Sequence, residues 1–598
     1  MLTLLVVASL ASDPIDIAEL APKNSEMVIR VPSADALVRA ARGGTLDAFW
    51  TQASLKTWAG HYAWQSIVGV MPTLEGQDLT FEDLVWPAGH AGLAVFPMPK
   101  DPDAPPPDPD DFFASMNGRS MGFLLSAEYA DRFEDFDDLT TSLIDRWQDE
   151  GLITVEEDEH EGVAYRHLIP VIEAIEGEEE MPAWFDPPGF FGDYDSILIA
   201  EIDGVVLISN HLPALEHAID AMQGREIDSV SDIDAYHSTL AQHPAGSSLQ
   251  VVGLLTPEAV TDLSQGFAFF LPVDLTTMFD ALGLSAVKAY SLALHVGGDG
   301  VAEATLGVLA PEKVGLLGLV STGAPFEPPA FVGPDTAGFW QVNVAFVKIP
   351  DLLLRVVEGL PEDERAVAQP AVRDALNFIR PVTDELGPQV YIISGIDLPH
   401  SASSAHTTLA ARLADDLPLH NVLTTFGESI GLKARDFNGN TIFSPAEEGM
   451  GPSIGLGFGH VFLGNDKGVE RLMRNAGDAA GAKLSGERGF IDATRPLRPS
   501  PVIAGFRDFR QAITRTAWEN ANYGEMMYEL YYGTVEIPDF EPPPREETIR
   551  EFNDSRPEHQ KHFPDPREFL GVAGDQVFEV MPTPDGFRGR LLVHKPRQ

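Results

Sequence analysis

The segment of this chain that comes nearest to a catalytic signature is Gly451-Pro452-Ser453-Ile454-Gly455, a serine framed by glycines. In serine hydrolases that spacing sets the nucleophile on a strained turn between a strand and a helix, with its hydroxyl exposed. Here Ile454, Leu456 and Phe458 alternate after Ser453, the pattern of a strand rather than of a helix. Pro452 also fits an elbow poorly, so the sequence gives Ser453 no catalytic role. Gly455-Leu456-Gly457-Phe458-Gly459 has the look of a phosphate loop, but no Lys-Ser/Thr follows it and it lies within a strand. Glycines there mark close packing or a bulge. His460 falls in the same strand pattern.

His559 and His562 are spaced to share a helical face, yet no His-Glu-x-x-His and no third ligand accompany them. His160 and His167 flank a hairpin and read as solvated. No metal and no cofactor are expected. The acidic runs 101–111 and 173–180 are broken or followed by prolines and repel themselves, so they read as exposed loops. They lack the glycine turn and distal Glu of a calcium loop, which leaves weak, non-specific cation binding.

With 91 acidic against 40 basic residues the net charge is −51, a field that repels nucleic acid and anionic membrane. One span runs against it: Arg471, Arg474, Lys483, Arg488, Arg495, Arg498, Arg507, Arg510 and Arg515. It reads either as internal complement to the acidic surface or as a docking patch for an anionic partner. The absence of cysteine excludes disulfides, thiolate metal sites and cysteine catalysis.

The elements that must position any site come in two copies. Leu139, Leu143, Gly151 and Leu152 recur as Leu419, Leu423, Gly431 and Leu432 at a constant offset of 280. In each copy an apolar helix ends at the glycine, a hairpin follows around Gly162 or Gly439, and a strand pair leads to Asn210 or Asn465 before a second helix. Asp203-Gly204 marks a tight hairpin. The expected fold class is α+β: two tandem copies of an antiparallel sheet with helices packed on one face, plus a C-terminal arm and hairpin. The expected bounds are a signal peptide over 1–11, copy one over 20–260, a connecting α/β segment and linker over 261–325, copy two over 326–516, and a proline-rich arm with a terminal β-hairpin over 517–598. Leu2 to Val7 is apolar and Ala8-Ser9-Leu10-Ala11 suits signal peptidase, which predicts cleavage after Ala11 and export to the periplasm or exterior. No later stretch is long enough for a membrane span.

The run Val205 to Asn210, then Pro213 to Asp220, Ala235-Tyr236, Leu240 and Pro244-Ala245-Gly246-Ser247, together with Leu20-Ala21-Pro22 to Val31-Pro32, resembles bacterial exported proteins of the domain of unknown function family numbered 3352. The resemblance covers about 20–260 and, more faintly, 326–515. It implies no catalytic residues. The expectation is a non-catalytic binding or scaffolding protein of the cell envelope, its partner an unknown protein or envelope component. The alternative is an exported hydrolase whose site is assembled between the two copies.

Overall fold

The computed structural model describes residues 16–43, 51–70, 84–98, 121–171, 196–244, 246–256, 275–296, 302–320, 323–360, 362–401, 404–446, 451–478, 480–532, 543–556, 558–571 and 574–595. The N-terminal segment and both acidic runs lie outside them. The first ten strands are β1 Met27–Val31, β2 Ala91–Pro97, β3 Met121–Glu128, β4 Ile153–His160, β5 Val163–Pro170, β6 Ile197–Ile202, β7 Val205–Ser209, β8 Leu249–Leu254, β9 Ala289–Val296 and β10 Ala302–Leu309. The next ten are β11 Thr336–Asn343, β12 Leu386–Ile396, β13 Ala405–Leu413, β14 Leu432–Phe437, β15 Asn440–Pro445, β16 Ser453–Gly457, β17 His460–Gly464, β18 Ile503–Arg507, β19 Gln576–Thr583 and β20 Gly586–Val593.

All twenty join one antiparallel sheet. From one edge, copy one runs β4-β5-β6-β7-β3-β2-β1-β8-β9-β10. From the other edge, copy two runs β14-β15-β16-β17-β13-β12-β11-β18-β19-β20. Each strand of the first series has its counterpart ten numbers on. The series meet where β10 pairs antiparallel with β20, Thr305 opposite Arg590. Thr305 also faces Ala293 on β9, and Arg590 faces Glu579 on β19. Thr305 and Arg590 are therefore equivalent residues facing each other, and a local two-fold axis passes between them.

Local sequence explains the repeated corners. Gly151 and Gly431 take left-handed backbone, with φ of +71° and +77°; Gly151 follows the C-cap of helix Phe133–Asp149, and Gly431 caps the 3-10 turn Glu428–Ile430 that comes after helix Leu417–Phe426. Glu161-Gly162 and Asn438-Gly439 both turn with positive φ, as two-residue hairpins require. Successive strand residues point to opposite faces, and helices cover both. On one face, helix Leu212–Met222 packs Leu215 and Ile219 over Leu198 and Leu207, and helix Asp466–Gly477 packs Leu472 and Met473 over Ile442 and Phe462. On the other, helix Phe133–Asp149 packs Ile144 near Ile199 and Val206, and helix Leu417–Phe426 packs Leu423 near Phe443 and Leu456. The fold is α+β with a large antiparallel sheet, and its helical cover extends beyond the single face expected.

Three expectations are corrected. Copy one runs on through β9 and β10, because the C-terminal hairpin β19–β20 is their counterpart rather than an appendage. The stretch Pro325 to Pro334, whose prolines read in sequence as a linker, ends in core, with Phe331 and Val332 buried beside Phe339 and Phe462. Among the described residues the segment after Ala517 is no extended arm before its terminal hairpin: it carries the end of helix Phe509–Ala521 and helices Tyr523–Tyr532, Arg545–Asp554, Glu558–Lys561 and Pro566–Leu570. Helices Phe509–Ala521 and Pro566–Leu570 pack on helix Ala53–Val70 of copy one, where Leu55 packs with Ile513 and Phe569, and Trp58 meets Phe563 and Phe569 edge-on. Among the described residues no helix is long and apolar enough to cross a membrane.

Candidate functional site at the seam

The seam sets a serine against a histidine. His243, just beyond helix Asp234–Leu240, places Nδ1 2.6 Å from Thr305 Oγ1 and Nε2 2.6 Å from Ser291 Oγ. A neutral imidazole donates through one nitrogen and accepts at the other, and both hydroxyls can answer either way. Ser291 and Thr305 are 1% exposed and His243 is 9% exposed. Burial, aided by the Arg588 charge, pushes the His243 pKa down to about 4. Beside them in copy two, Glu579 accepts from the Arg498 N–H at 2.7 Å and pairs with Arg590 at 2.9 Å. The histidine thus has a nucleophile-type partner on one nitrogen, but its other nitrogen meets a hydroxyl where an acyl-transfer site would hold a carboxylate.

Ser453 opens β16 opposite Gly464, not a strand-to-helix turn. Its hydroxyl is buried and donates to Asp466 at 2.7 Å, as Ser444 does at 2.5 Å. Arg435 donates to Asp466 at 2.8 Å and to Glu470 at 2.7 Å. Burial opposes the Asp466 charge, yet the bonds from Ser444, Ser453 and Arg435 outweigh it and hold the pKa below its ordinary value. This network ties the edge hairpin to the start of helix Asp466–Gly477. The glycine series is corrected at its end: Gly455 and Gly457 are strand residues, but Phe458-Gly459 is a turn with φ of 54° and 70°, and His460 begins the return strand. A side chain at Gly455 would strike Met473 and Val469 at 2.7 Å, so close helix packing fixes that glycine.

His160 is not solvated. Its ring sits between Asp220 at 3.1 Å and Glu216 at 3.5 Å, and His167 is half-buried. His562 stacks on His61, ring centroids 4.6 Å apart, while the His559 side chain lies outside the described residues. Among the described residues no group of three or more His, Asp or Glu could hold a metal ion. Much of the arginine-rich span is internally complemented. Arg471 pairs with Asp397 at 2.8 Å, Arg495 with Asp492 at 2.7 Å, and buried Arg515 with Glu519 at 2.7 Å while stacking on Trp518.

The sheet face opposite His243 differs in kind. Following the register through Leu306, next to Thr305, gives Leu292, Val251, Ile29 and Leu93 in copy one. In copy two it gives Gly589, Val580, Ile503, Val342 and Val390. No polar side chain interrupts that row, in a chain with 22% charged residues. On this face Tyr290 and Leu292 are each 44% exposed and Leu306 38%. Trp340 lies flat there across Gly505 and Gly338, where added side chains would overlap its ring at 2.1 and 2.4 Å. Sequence reasoning missed this surface because it exists only once the register joins the copies; the alternating apolar residues of each strand were its signal.

No family model matches the chain, and no curated protein matches it. A solved structure described as crystal form I of TP0453 is similar over 50% of this chain and 79% of that chain, with 9% identity and a TM-score of 0.22, a level at which the likeness carries no argument.

Proposed function

We propose that this chain is an exported, non-catalytic binding protein of the cell envelope. The observation that carries the reading is the apolar row running unbroken through the seam: ten strands from two copies build one surface that neither copy has alone. Large apolar surface left accessible marks an interaction site. Export rests on the apolar Leu2 to Val7 and the small residues of Ala8 to Ala11, and mass spectrometry of the native protein should find a chain starting at Ser12.

The contact of Ser291 with His243 favours a second reading, a hydrolase with its site between the copies. Against it stand the burial of both groups and the missing carboxylate behind the imidazole. A fluorophosphonate probe decides. We expect no labelling of the folded protein; labelling abolished by Ser291→Ala or by Ser453→Ala would overturn the binding-protein reading in favour of the hydrolase.

A further inference from the structure

The two copies finish the same corner differently. In copy one the turn Glu161-Gly162 is tied to the end of helix Leu212–Met222. Gln223 donates to the Glu161 carbonyl at 3.1 Å, and Arg225 pairs with the Glu161 carboxylate at 2.6 Å. In copy two the turn Asn438-Gly439 faces the end of helix Asp466–Gly477 across a cleft of about 500 Å³. Among the described residues no side-chain hydrogen bond or ion pair crosses it: the Asn440 amide bonds within its own turn, to the Asn438 carbonyl at 3.4 Å, Arg474 leans back on Glu470 at 3.8 Å, and Asp478 accepts through Oδ1 from Ala480 and Gly481. A cleft of that size suits a small ligand.

Phe458 is a second sign. The neighbouring turn in copy one is Asp203-Gly204, where Asp tolerates a φ of 51°. Copy two holds Phe458 at φ of 54° in the same place, a conformation that a bulky side chain resists. Core packing does not hold it there, since Phe458 is 44% exposed. It lines the cleft beside the end of the helix, where a Cβ on Gly477 would stand 3.4 Å from its ring. Strained residues of this kind collect at ligand clamps.

The lining defines the ligand. Phe458 and Met473 supply apolar contact, Asn438 and Asn440 supply amides that donate and accept, and the charges of Arg474 and Asp478 cancel. Arg435, over the Phe437 ring at 5.9 Å, is already taken by Asp466 and Glu470. An anion would meet Asp478 and the carbonyl end of the helix, and a cation would meet Arg474. An uncharged ligand with one apolar face and several hydroxyls meets neither objection, because a hydroxyl both donates and accepts. We propose that this corner binds an uncharged sugar ring, its C–H face against Phe458 and its hydroxyls on Asn438, Asn440, Arg474 and Asp478. The site is separate from the apolar row at the seam and does not depend on it.

The test is saturation-transfer NMR on the full-length protein with D-glucose, D-galactose, D-mannose and N-acetyl-D-glucosamine. We expect saturable transfer to at least one of them. Phe458→Asp installs the residue that copy one uses in this turn, so it should lower that affinity about tenfold with the melting temperature unchanged or raised. Arg474→Gln, at a position 66% exposed, should lower it about threefold. D-glucosamine and D-glucuronate, which put a charge on the same ring, should bind less tightly. No saturable transfer to any of the four sugars, or full affinity in a folded Phe458→Asp, would overturn the inference. Where Phe458→Asp fails to fold, full affinity in Arg474→Gln would overturn it. Tighter binding of either charged sugar would overturn the uncharged ligand. The methyl glycoside of the sugar that binds separates the sources: equal affinity assigns a glycan-linked unit, lost affinity a free sugar, and both sustain the site. Failure here leaves the binding-protein reading and its fluorophosphonate test untouched.

Discussion

Acid should loosen the seam through one residue. His243 is held neutral by burial, with its pKa pushed down to about 4 from an ordinary 6.5. A folded-state pKa below the unfolded value means that the unfolded chain takes up a proton the folded chain refuses. The stability it protects is therefore complete above about pH 6.5 and is lost as pH falls towards 4. The full difference, at about 1.4 kcal/mol per pH unit, comes to roughly 3 kcal/mol, of which about 2.5 kcal/mol is gone by pH 4.5. His243→Asn keeps a donor and an acceptor but does not titrate. Urea unfolding of both proteins at pH 7.5 and pH 4.5 separates this residue from the rest of the chain, since the other ionisable groups are common to both. The wild type should lose about 2.5 kcal/mol more than the variant between the two pH values. Equal losses would refute the reasoning, because they would mean that His243 charges freely in the folded state.

Two further outcomes follow from charge and capping. Stability should rise from low salt to molar NaCl, since screening within about 8–10 Å relieves self-repulsion at −51; a melting temperature that stays flat or falls contradicts this. Asn465 and Asn210 stand at matching places but do different work. Asn465 caps helix Asp466–Gly477 by accepting from Gly468 N–H at 2.7 Å, so Asn465→Ala should cost about 1 kcal/mol in urea unfolding. Asn210 accepts from Phe123 N–H at 2.8 Å and donates to Met121 at 3.2 Å, tying β3 to the turn, so Asn210→Ala should cost about 1–3 kcal/mol by stranding a part-buried amide.

What the sequence made legible is local. Leu139 and Leu419 do sit in corresponding helices, Gly151 and Gly431 do turn the chain into the edge hairpins in left-handed backbone, and Asp203-Gly204 does turn a hairpin, because propensity and spacing act over a few residues. Phe458-Gly459 escaped notice because a phenylalanine at positive φ has no sequence signature. The helices after Ala517 escaped because Glu541-Pro542-Pro543-Pro544 reads as extended, while the packing that organises its neighbours comes from Leu55 and Trp58, far away in sequence. The seam was invisible for the same reason. Nothing in the spacing of Thr305 and Arg590 says that they face each other, and only long-range pairing puts His243 behind one and Glu579 behind the other.

That seam also explains why the copies had to diverge where they touch. On a two-fold axis each residue faces its own equivalent. Identical copies carrying Arg at the Thr305 position would set two guanidinium groups against each other, and like charges directly opposite on paired strands destabilise them. Copies that both carried Glu at the Ala293 position would bury two carboxylates in the same layer at the cost of unpaired charge. One copy supplies the ion pair of Glu579 and Arg590, and the other answers with neutral Thr305, Ser291 and an uncharged His243. On the opposite face no such conflict arises. Leu306 and its equivalent Leu591 sit on neighbouring strands without penalty, because apolar side chains are compatible with their own copies. Duplication thus forces difference on the buried polar face at the axis, while Leu306 and Leu591 on the other face can stay alike. A serine beside a histidine at the axis is then the neutral half of a charge solution.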